Sequence, residues 1–357
     1  MKTEPPSQIR VPKVFPRGWQ WVERRSKSVV SVINLFRRAG LYGVIQSLLS
    51  SLVHRNESRW LATQNRNSNK ILDVPELLSF LRNSGIMEGD TIMVASSWDA
   101  IRKSETSPAK LIEDLRNLIG PTGTLAMPAW APTSGQEQDY FFDVDTQPTT
   151  AGIINETLRR TPGARRSCNP FYSVCAIGPQ AEFLLDHQHK SKFSWDEFCP
   201  YLRIVAVPNS WFIGIGVGPA VKIATSHHVI ESILIDHPFF RRLYRTSRSY
   251  RYISKSQGAG QGQLRASTSI AVSVPLRSGY VDKFKEAQIG DVTVYAIKAY
   301  DLVEATLKMA LRGRTMYVWP IRWPWMFWAS RNLDAKKLLD EAIKRVNDVT
   351  SLKADSR

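Results

Sequence analysis

Between residues 71 and 235, short apolar runs alternate with amphipathic ones, and this alternation excludes most architectures. LDVPELLSFLRNSGI (72–86) predicts a helix, with proline near its start and Gly85 near its end. DTIMVASS (90–97) predicts a buried strand, SPAKLIEDLRNLIG (107–120) a capped helix and TGTLAMPAW (122–130) the next strand. The pattern continues with a helix over TTAGIINETLRRTPG (149–163), a strand over FYSVCAIG (171–178), and short helices over PQAEFLLDHQH (179–189) and DEFCPYLRI (196–204). It closes with a strand over WFIGIGV (211–217) and a helix over TSHHVIESILI (225–235). Strands separated by helices of this length predict an α/β fold, a layered sheet with helices on both faces.

The flanking segments read differently. Residues 1–70 carry thirteen Lys/Arg against three Glu, most of the chain's net charge of +16. They predict a basic helical N-terminal extension ending in the polar linker TQNRNSNK (63–70), ahead of an α/β domain over 71–350. Two readings of the extension stand side by side: a helical cap packed on the core, or a basic helix at a membrane surface or subunit contact through 1–60. The start lacks an apolar core of the secretory type, and no run resembles a membrane span, so the expectation is a cytoplasmic protein, membrane-peripheral if the arm serves as an anchor. Cys168, Cys175 and Cys199 form no CxxC and cannot all pair, and they read as reduced thiols.

Beyond 240 the chain is basic and then more β-like. FFRRLYRTSRSYRYISKS (239–256) has no acidic residue and could follow a nucleic-acid backbone, meet the phosphates of a nucleotide cofactor, or form a solvated face. With no nucleic-acid module around it, a nucleic-acid partner is not expected. QGAGQG (257–262) fits a pyrophosphate-binding pattern, but a strand-like run follows it where such a loop needs a helix, so a flexible loop is expected. TSIAVSV (268–274) and VTVYAI (292–297) predict strands, and YDLVEATLKMAL (300–311) and DAKKLLDEAIKRVND (334–348) helices. YVWPIRWPWMFW (317–328) predicts a core edge or an interface rather than a membrane belt.

Chemistry concentrates in TSHHVIE (225–231). On a helix His227 and His228 lie four and three residues before Glu231, so either imidazole can lean on that carboxylate. Three readings are open: a structural helix, a general base with its orienting carboxylate, or part of a metal site. The segment follows an apolar glycine-rich strand, and α/β sites form at the carboxyl ends of strands. That places a histidine of its first turn at a cleft.

The ordered set ASSWDAI (95–101), GTLAMPAW (123–130), FDVDTQPTTAGIINETLRR (142–160), RSCNPFYSVCAIG (166–178), FIGIGV (212–217) and TSHHVIE resembles the aminoglycoside N3-acetyltransferase family over residues 72–235. The resemblance implies a three-layer α/β fold and acetyl-CoA as co-substrate, with no metal. It assigns His228 as the base that takes a proton from the substrate amine, Glu231 as its orienting group, and Thr225 as the first residue of the motif, on the substrate side. It makes Ser96, Ser97, Arg166, Ser167 and Ser173 candidates for the acetyl-CoA side. Asp143, with Asp139 and Asp145, offers acids for a cationic acceptor. The chain departs from the family at Ala95 and Asn169, where histidine is usual, and at Cys199-Pro200, where serine-proline is common. Asn169 therefore marks a stretch of the substrate wall that differs. The implied function is N-acetyl transfer to an amino group of an aminoglycoside or amino sugar, in a protein open to homo-oligomer formation. The alternative is a non-catalytic relative that binds membrane surfaces or glycans.

Overall fold

The computed structural model describes residues 71–133, 138–217, 224–241, 244–267, 283–312, 330 and 332–351. In chain order the first elements are α1 (Val74–Asn83), β1 (Thr91–Ser96), α2 (Trp98–Ile101), α3 (Pro108–Ile119), β2 (Thr124–Pro128), β3 (Tyr140–Asp143), α4 (Ile153–Arg160), β4 (Arg165–Arg166) and β5 (Val174–Ile177). Next come α5 (Ala181–Leu185), α6 (Pro200–Ala206), β6 (Ser210–Ile215), a 3-10 turn (Ala224–His228), α7 (Val229–Ile233), α8 (Pro238–Arg241), β7 (Tyr244–Ser254) and β8 (Gly258–Ser267). The last are β9 (Lys285–Ile289), β10 (Val292–Lys298), α9 (Ala299–Leu311) and α10 (Ala335–Ser351).

Seven strands form one sheet in the order β4-β5-β2-β1-β6-β10-β9. Its centre, β2-β1-β6, is parallel, and antiparallel strands close both sides. The period of two along a strand sends neighbouring side chains to opposite faces. Met93, Ala126, Ala176, Phe212 and Tyr295 enter one core, beneath α5, α6, α7, α9 and α10. Ile92, Val94, Leu125, Met127, Ile213 and Val294 enter the other, beneath α1, α3 and α4. Both faces are buried, which is why these strands read as unbroken apolar runs. The expected three layers are present.

Local signals set the helix starts. Asp73 caps α1 by accepting from the Glu76 N–H, and Ser107 caps α3 by accepting from the Lys110 N–H, each with a proline in the first turn. All three described cysteines are buried and unpaired.

Three strands form a second, smaller sheet in the order β3-β7-β8, and here the sequence reading needs correction. The glycine-rich stretch is not a loop: it is β8, paired along its length with the basic β7. Tyr250 lies opposite Gly262 and Tyr252 opposite Gly260. A Cβ on Gly262 would come 2.3 Å from the Tyr250 ring, and one on Gly260 2.7 Å from the Tyr252 hydroxyl. The glycines thus make room for two tyrosines that lie flat over the neighbouring strand, rather than providing flexibility. The basic run alternates: Tyr244, Tyr250 and Tyr252 are buried, while Arg251 and Ile253 face solvent.

The helices predicted over 179–189, 196–204 and 225–235 are shorter. The first ends at Leu185, before His187 takes a left-handed φ of 64°. The second begins at Pro200, because Asp196 turns its carboxylate onto the backbone N–H groups of Lys192, Phe193 and Phe198 and holds a turn there. The third opens as a 3-10 turn and stops at Ile233, a few residues before Pro238. β3, β4 and β9 were not anticipated. β4 is two residues long, and the polar KEAQI of β9 is an edge strand. The basic extension, TSIAVSV (268–274) and the tryptophan-rich run (317–328) lie outside the described residues.

Candidate active site

The parallel centre of the large sheet decides where a site can form. β1 is the switch point: the chain continues to β2 on one side, and β6 lies on the other. Ligands of α/β proteins bind beyond the carboxyl ends of strands at such a point. β1 ends at Ser96, in register with Ile215 at the end of β6, and the Ser97 N–H donates to the Ile215 carbonyl at 3.0 Å. The 3-10 turn carrying the two histidines comes next in the chain after β6.

The two adjacent histidines have different surroundings. His227 is fully buried, and its Nδ1 lies 2.9 Å from Thr306 Oγ1 on α9. That hydroxyl donates to the Leu302 carbonyl at 2.7 Å, so its oxygen accepts the His227 Nδ1–H. Burial, with the neighbouring His228, pushes the His227 imidazole down to about 3. It is a neutral core histidine.

His228 keeps 21% of its side chain exposed, whereas Glu231 has none. Its Nδ1 lies 2.7 Å from Glu231 Oε1. A carboxylate only accepts, so Nδ1 carries the proton and the basic lone pair is on Nε2. Against the ring lies the indole of Trp195, near parallel at 14° with centroids 5.0 Å apart. An oriented imidazole partly open to solvent is the arrangement a general base needs. Of the three readings of TSHHVIE, the structural one describes His227 and the base reading fits His228. The Nδ1 atoms of the two imidazoles have different partners, and no group of three or more metal-ligating side chains occurs among the described residues.

The remaining sequence candidates separate into those near a strand end and those committed to the interior. The Ser96 hydroxyl is buried and makes no hydrogen bond within the described protein. Ser97 sits at the cap of α2, with no side-chain bond to its backbone. Arg166 and Ser173 meet on one carbonyl: the guanidinium and the hydroxyl both donate to Ala129 O at the end of β2. Arg166 also donates to Gln147 O and covers the Phe142 ring, and its burial pushes the guanidinium down to about 10. Ser167 accepts from the Val174 N–H. Asn169 accepts from the Phe171 N–H, while its side-chain NH2 has no partner among the described residues. Asp143 holds the turn after β3 by accepting from the Asp145 and Thr146 N–H groups, and Asp145 accepts from the Lys255 N–H. The Thr146 hydroxyl leads the interactions that hold the Asp143 carboxyl below its usual range. Thr225 is part of the 3-10 turn. Burial pushes the Cys168 and Cys175 thiols up to about 12, far from a reactive thiolate at neutral pH.

Sequence reasoning missed the aromatic wall beside His228. Trp195 packs on Tyr172 with centroids 4.5 Å apart and on Tyr201 edge-on at 5.6 Å, and Tyr201 accepts from Trp130 Nε1. Tyr172 accepts from Arg248 of β7 at 2.9 Å and from Ser194 at 3.2 Å. Burial, the largest influence, raises its phenol above the usual value. No spacing rule links positions 172, 195 and 248 to 228.

The model of the family described as aminoglycoside 3-N-acetyltransferase matches residues 93–310, more than half of the chain. The chain belongs to that family. Aminoglycoside N(3)-acetyltransferase IV of Salmonella sp is 42% identical over 112 residues, 31% of this chain and 41% of the relative. Aminoglycoside N(3)-acetyltransferase III of Enterobacter cloacae is 29% identical over 169 residues, 43% of this chain and 58% of the relative. The chain thus spans about half the length of the curated relatives it matches. Among solved structures, aminoglycoside acetyltransferase AAC(3)-IVa in complex with apramycin superposes with a TM-score of 0.54 at 26% identity, covering 68% of this chain and 93% of that one. AAC-IIIb, solved with CoASH, shares the fold, with a TM-score of 0.57 at 20% identity over 69% of this chain and 98% of that one. The resemblance read from the six motifs is therefore correct at the level of family and fold, and it extends past residue 235 into the small sheet and α9.

Proposed function

We propose that the protein transfers the acetyl group of acetyl-CoA to an amino group of an aminoglycoside or a related amino sugar. The observation that carries this reading is the 2.7 Å bond from His228 Nδ1 to the buried Glu231, which leaves Nε2 as an oriented base at the carboxyl end of the sheet. Membership of a family whose relatives are named aminoglycoside N(3)-acetyltransferases supports the reaction class. The neighbours solved with apramycin and with CoASH support the two substrates.

In the proposed reaction the neutral amine attacks the thioester carbonyl and forms the C–N bond. His228 Nε2 takes the proton that the nitrogen sheds. The C–S bond breaks, and the imidazolium returns the proton to the departing thiolate, so acetylated amine and free CoA leave. Glu231 holds the ring in one tautomer and stabilises its charged form. A positioned base contributes on the order of 10²–10⁴-fold. The carbonyl oxygen becomes an oxyanion during attack and needs a donor. The Ser96 hydroxyl fits that requirement, being buried at the end of β1 and not committed elsewhere. Arg166, Ser167 and Ser173 already spend their side chains on internal carbonyl or N–H groups, and we assign them to shaping the wall beside β2. Direct attack suits a chain whose described thiols are buried and protonated.

The test is thiol release from acetyl-CoA, wild type against His228→Ala, with a panel of aminoglycosides and nucleotide-linked amino sugars. Turnover that depends on His228 is expected, and the amine that accepts names the substrate. Equal turnover in the variant would overturn the assignment of the base.

A further inference from the structure

The indole that covers the base is placed with more apparatus than a filler residue needs. Trp195 is nearly buried and sits in a turn tied down from two directions. From below, the Asp196 carboxylate accepts from the Lys192 and Phe193 N–H groups at 2.6 and 3.0 Å. From the side, the Arg265 N–H of β8 donates to the Lys192 carbonyl, Phe193 bridges to Arg265, and the Phe193 ring packs edge-on against Tyr244 of β7. The Trp195 carbonyl accepts from Ser232, one residue past Glu231. The small sheet and the base helix therefore both grip this turn.

Resting on the acetyl-transfer reading, we propose that Trp195 is a positioning residue for the base: its indole face fixes the plane of the His228 ring and stabilises the imidazolium formed when the acceptor amine is deprotonated. The geometry suits this role. A cation over an aromatic face within about 6 Å of the centroid is attracted by the ring's quadrupole, and tryptophan offers the strongest such face. The 5.0 Å separation and 14° tilt meet that condition. A neutral imidazole gains far less, so the indole favours the charged form that exists only after proton transfer. Glu231 acts on the same charge at the ring edge while Trp195 acts on its face.

Other ionisable groups surround the pair. Glu231 and His227 belong to the same segment, and Tyr172 comes from the β4–β5 loop. Asp196 and Cys199 flank the tryptophan turn, and Tyr244 and Arg248 come from β7. All of them are retained in every variant compared, so the comparison changes only the group on the face of the ring.

The experiment replaces Trp195 in the full chain by Phe and by Leu. Leucine keeps the ring covered by an apolar group but removes the π face. Two quantities are read: the midpoint of the acid limb of kcat/KM against pH, and the titration of the His228 imidazole by NMR. Both are expected to fall in the order Trp, Phe, Leu, by roughly 0.4–1.5 pH units for leucine. A midpoint that is the same in all three would overturn the proposal, because a packing role alone lowers activity without ordering the titration. Should leucine prevent folding, incorporation of fluorinated tryptophan keeps the shape and weakens the face, and the same downward shift is expected. The two readings fail separately. Ordered NMR titration without turnover of any acceptor would retain the Trp195 role and remove the acetyl-transfer reading. His228-dependent turnover with an unmoved titration would do the reverse.

Discussion

The two sheets solve the same packing problem in different ways. The seven-stranded sheet is covered on both sides, so Ile92, Met93 and Val94 can follow one another, each entering a core on its own face. The three-stranded sheet buries one face only. Tyr140, Phe142, Tyr250 and Tyr252 turn inward, while Phe141, Arg251 and Ile253 face water. The large sheet places His228, through the segment that follows β6. The small sheet reaches the site through side chains and turns: Arg248 on Tyr172, and Arg265 and Tyr244 on the turn of Trp195. A two-sided layer thus carries the proposed base, and a one-sided layer shapes the wall next to it.

The sharpest way to test this division is to damage each part and measure activity and stability together. His228→Ala is expected to lower kcat by about 10²–10⁴-fold with little change in melting temperature, because the ring is partly exposed and fills no core. Steady-state kinetics beside a thermal melt would show it, and a collapse in stability would mean that the histidine is structural after all. Next in size, Phe212→Ala, in the two-sided sheet, should cost about 3–5 kcal/mol of stability by denaturant titration, as a large ring leaves a cavity that its close-packed neighbours cannot fill.

Gly262→Ala tests the small sheet at its tightest point. The added methyl would meet the Tyr250 ring at 2.3 Å, and a loss of about 1–3 kcal/mol is expected. If β8 were the flexible loop its composition suggests, the same change would be nearly silent.

The pair of histidines gives a pH-dependent version of the comparison. His227 falls from an ordinary value of 6.5 to about 3 on folding. Above pH 6.5 neither the folded nor the unfolded form binds the proton, and the contribution to stability is fully present. Between pH 6.5 and about 3 the unfolded chain binds a proton that the folded one refuses, so stability falls with acidification by at most about 1.4 kcal/mol per pH unit. His227→Gln should flatten that slope in urea midpoints measured from pH 7 to 4; an unchanged slope would assign it to other groups. The smallest effect is expected at Phe141→Ser on the open face of the small sheet, within about 0.5 kcal/mol.

How much of this was legible in the chain follows from the same contrast. The strands of the large sheet were readable because a strand buried on both faces leaves an apolar run with turn residues at its ends. Helix α1 was readable from the proline near its start and Gly85 near its end, and α3 from its cap at residue 107; the Asp73 cap of α1 acts over the same three-residue range. The small sheet was not readable in this way. β8 holds three glycines in its first five residues, and the tyrosines facing it explain two of them, Gly260 and Gly262. The His228–Glu231 pair was visible because three residues on a helix bring two side chains together. The choice between His227 and His228 came from family resemblance; the burial of His227 against Thr306, far away in sequence, is a tertiary fact that spacing could not supply.

By itself the sequence determined the alternation of strands and helices in the large sheet, the proline-led starts of α1 and α3, and that residues 227 and 228 lie within reach of Glu231. All of these rest on interactions a few residues long or on periodicity along one element. The tertiary structure alone decided which histidine is buried, that a glycine-rich stretch is a strand, and that Trp195 lies flat against His228. Each of those depends on which distant surfaces are pressed together when two sheets and their helices exclude water, and short-range spacing carries no record of that choice.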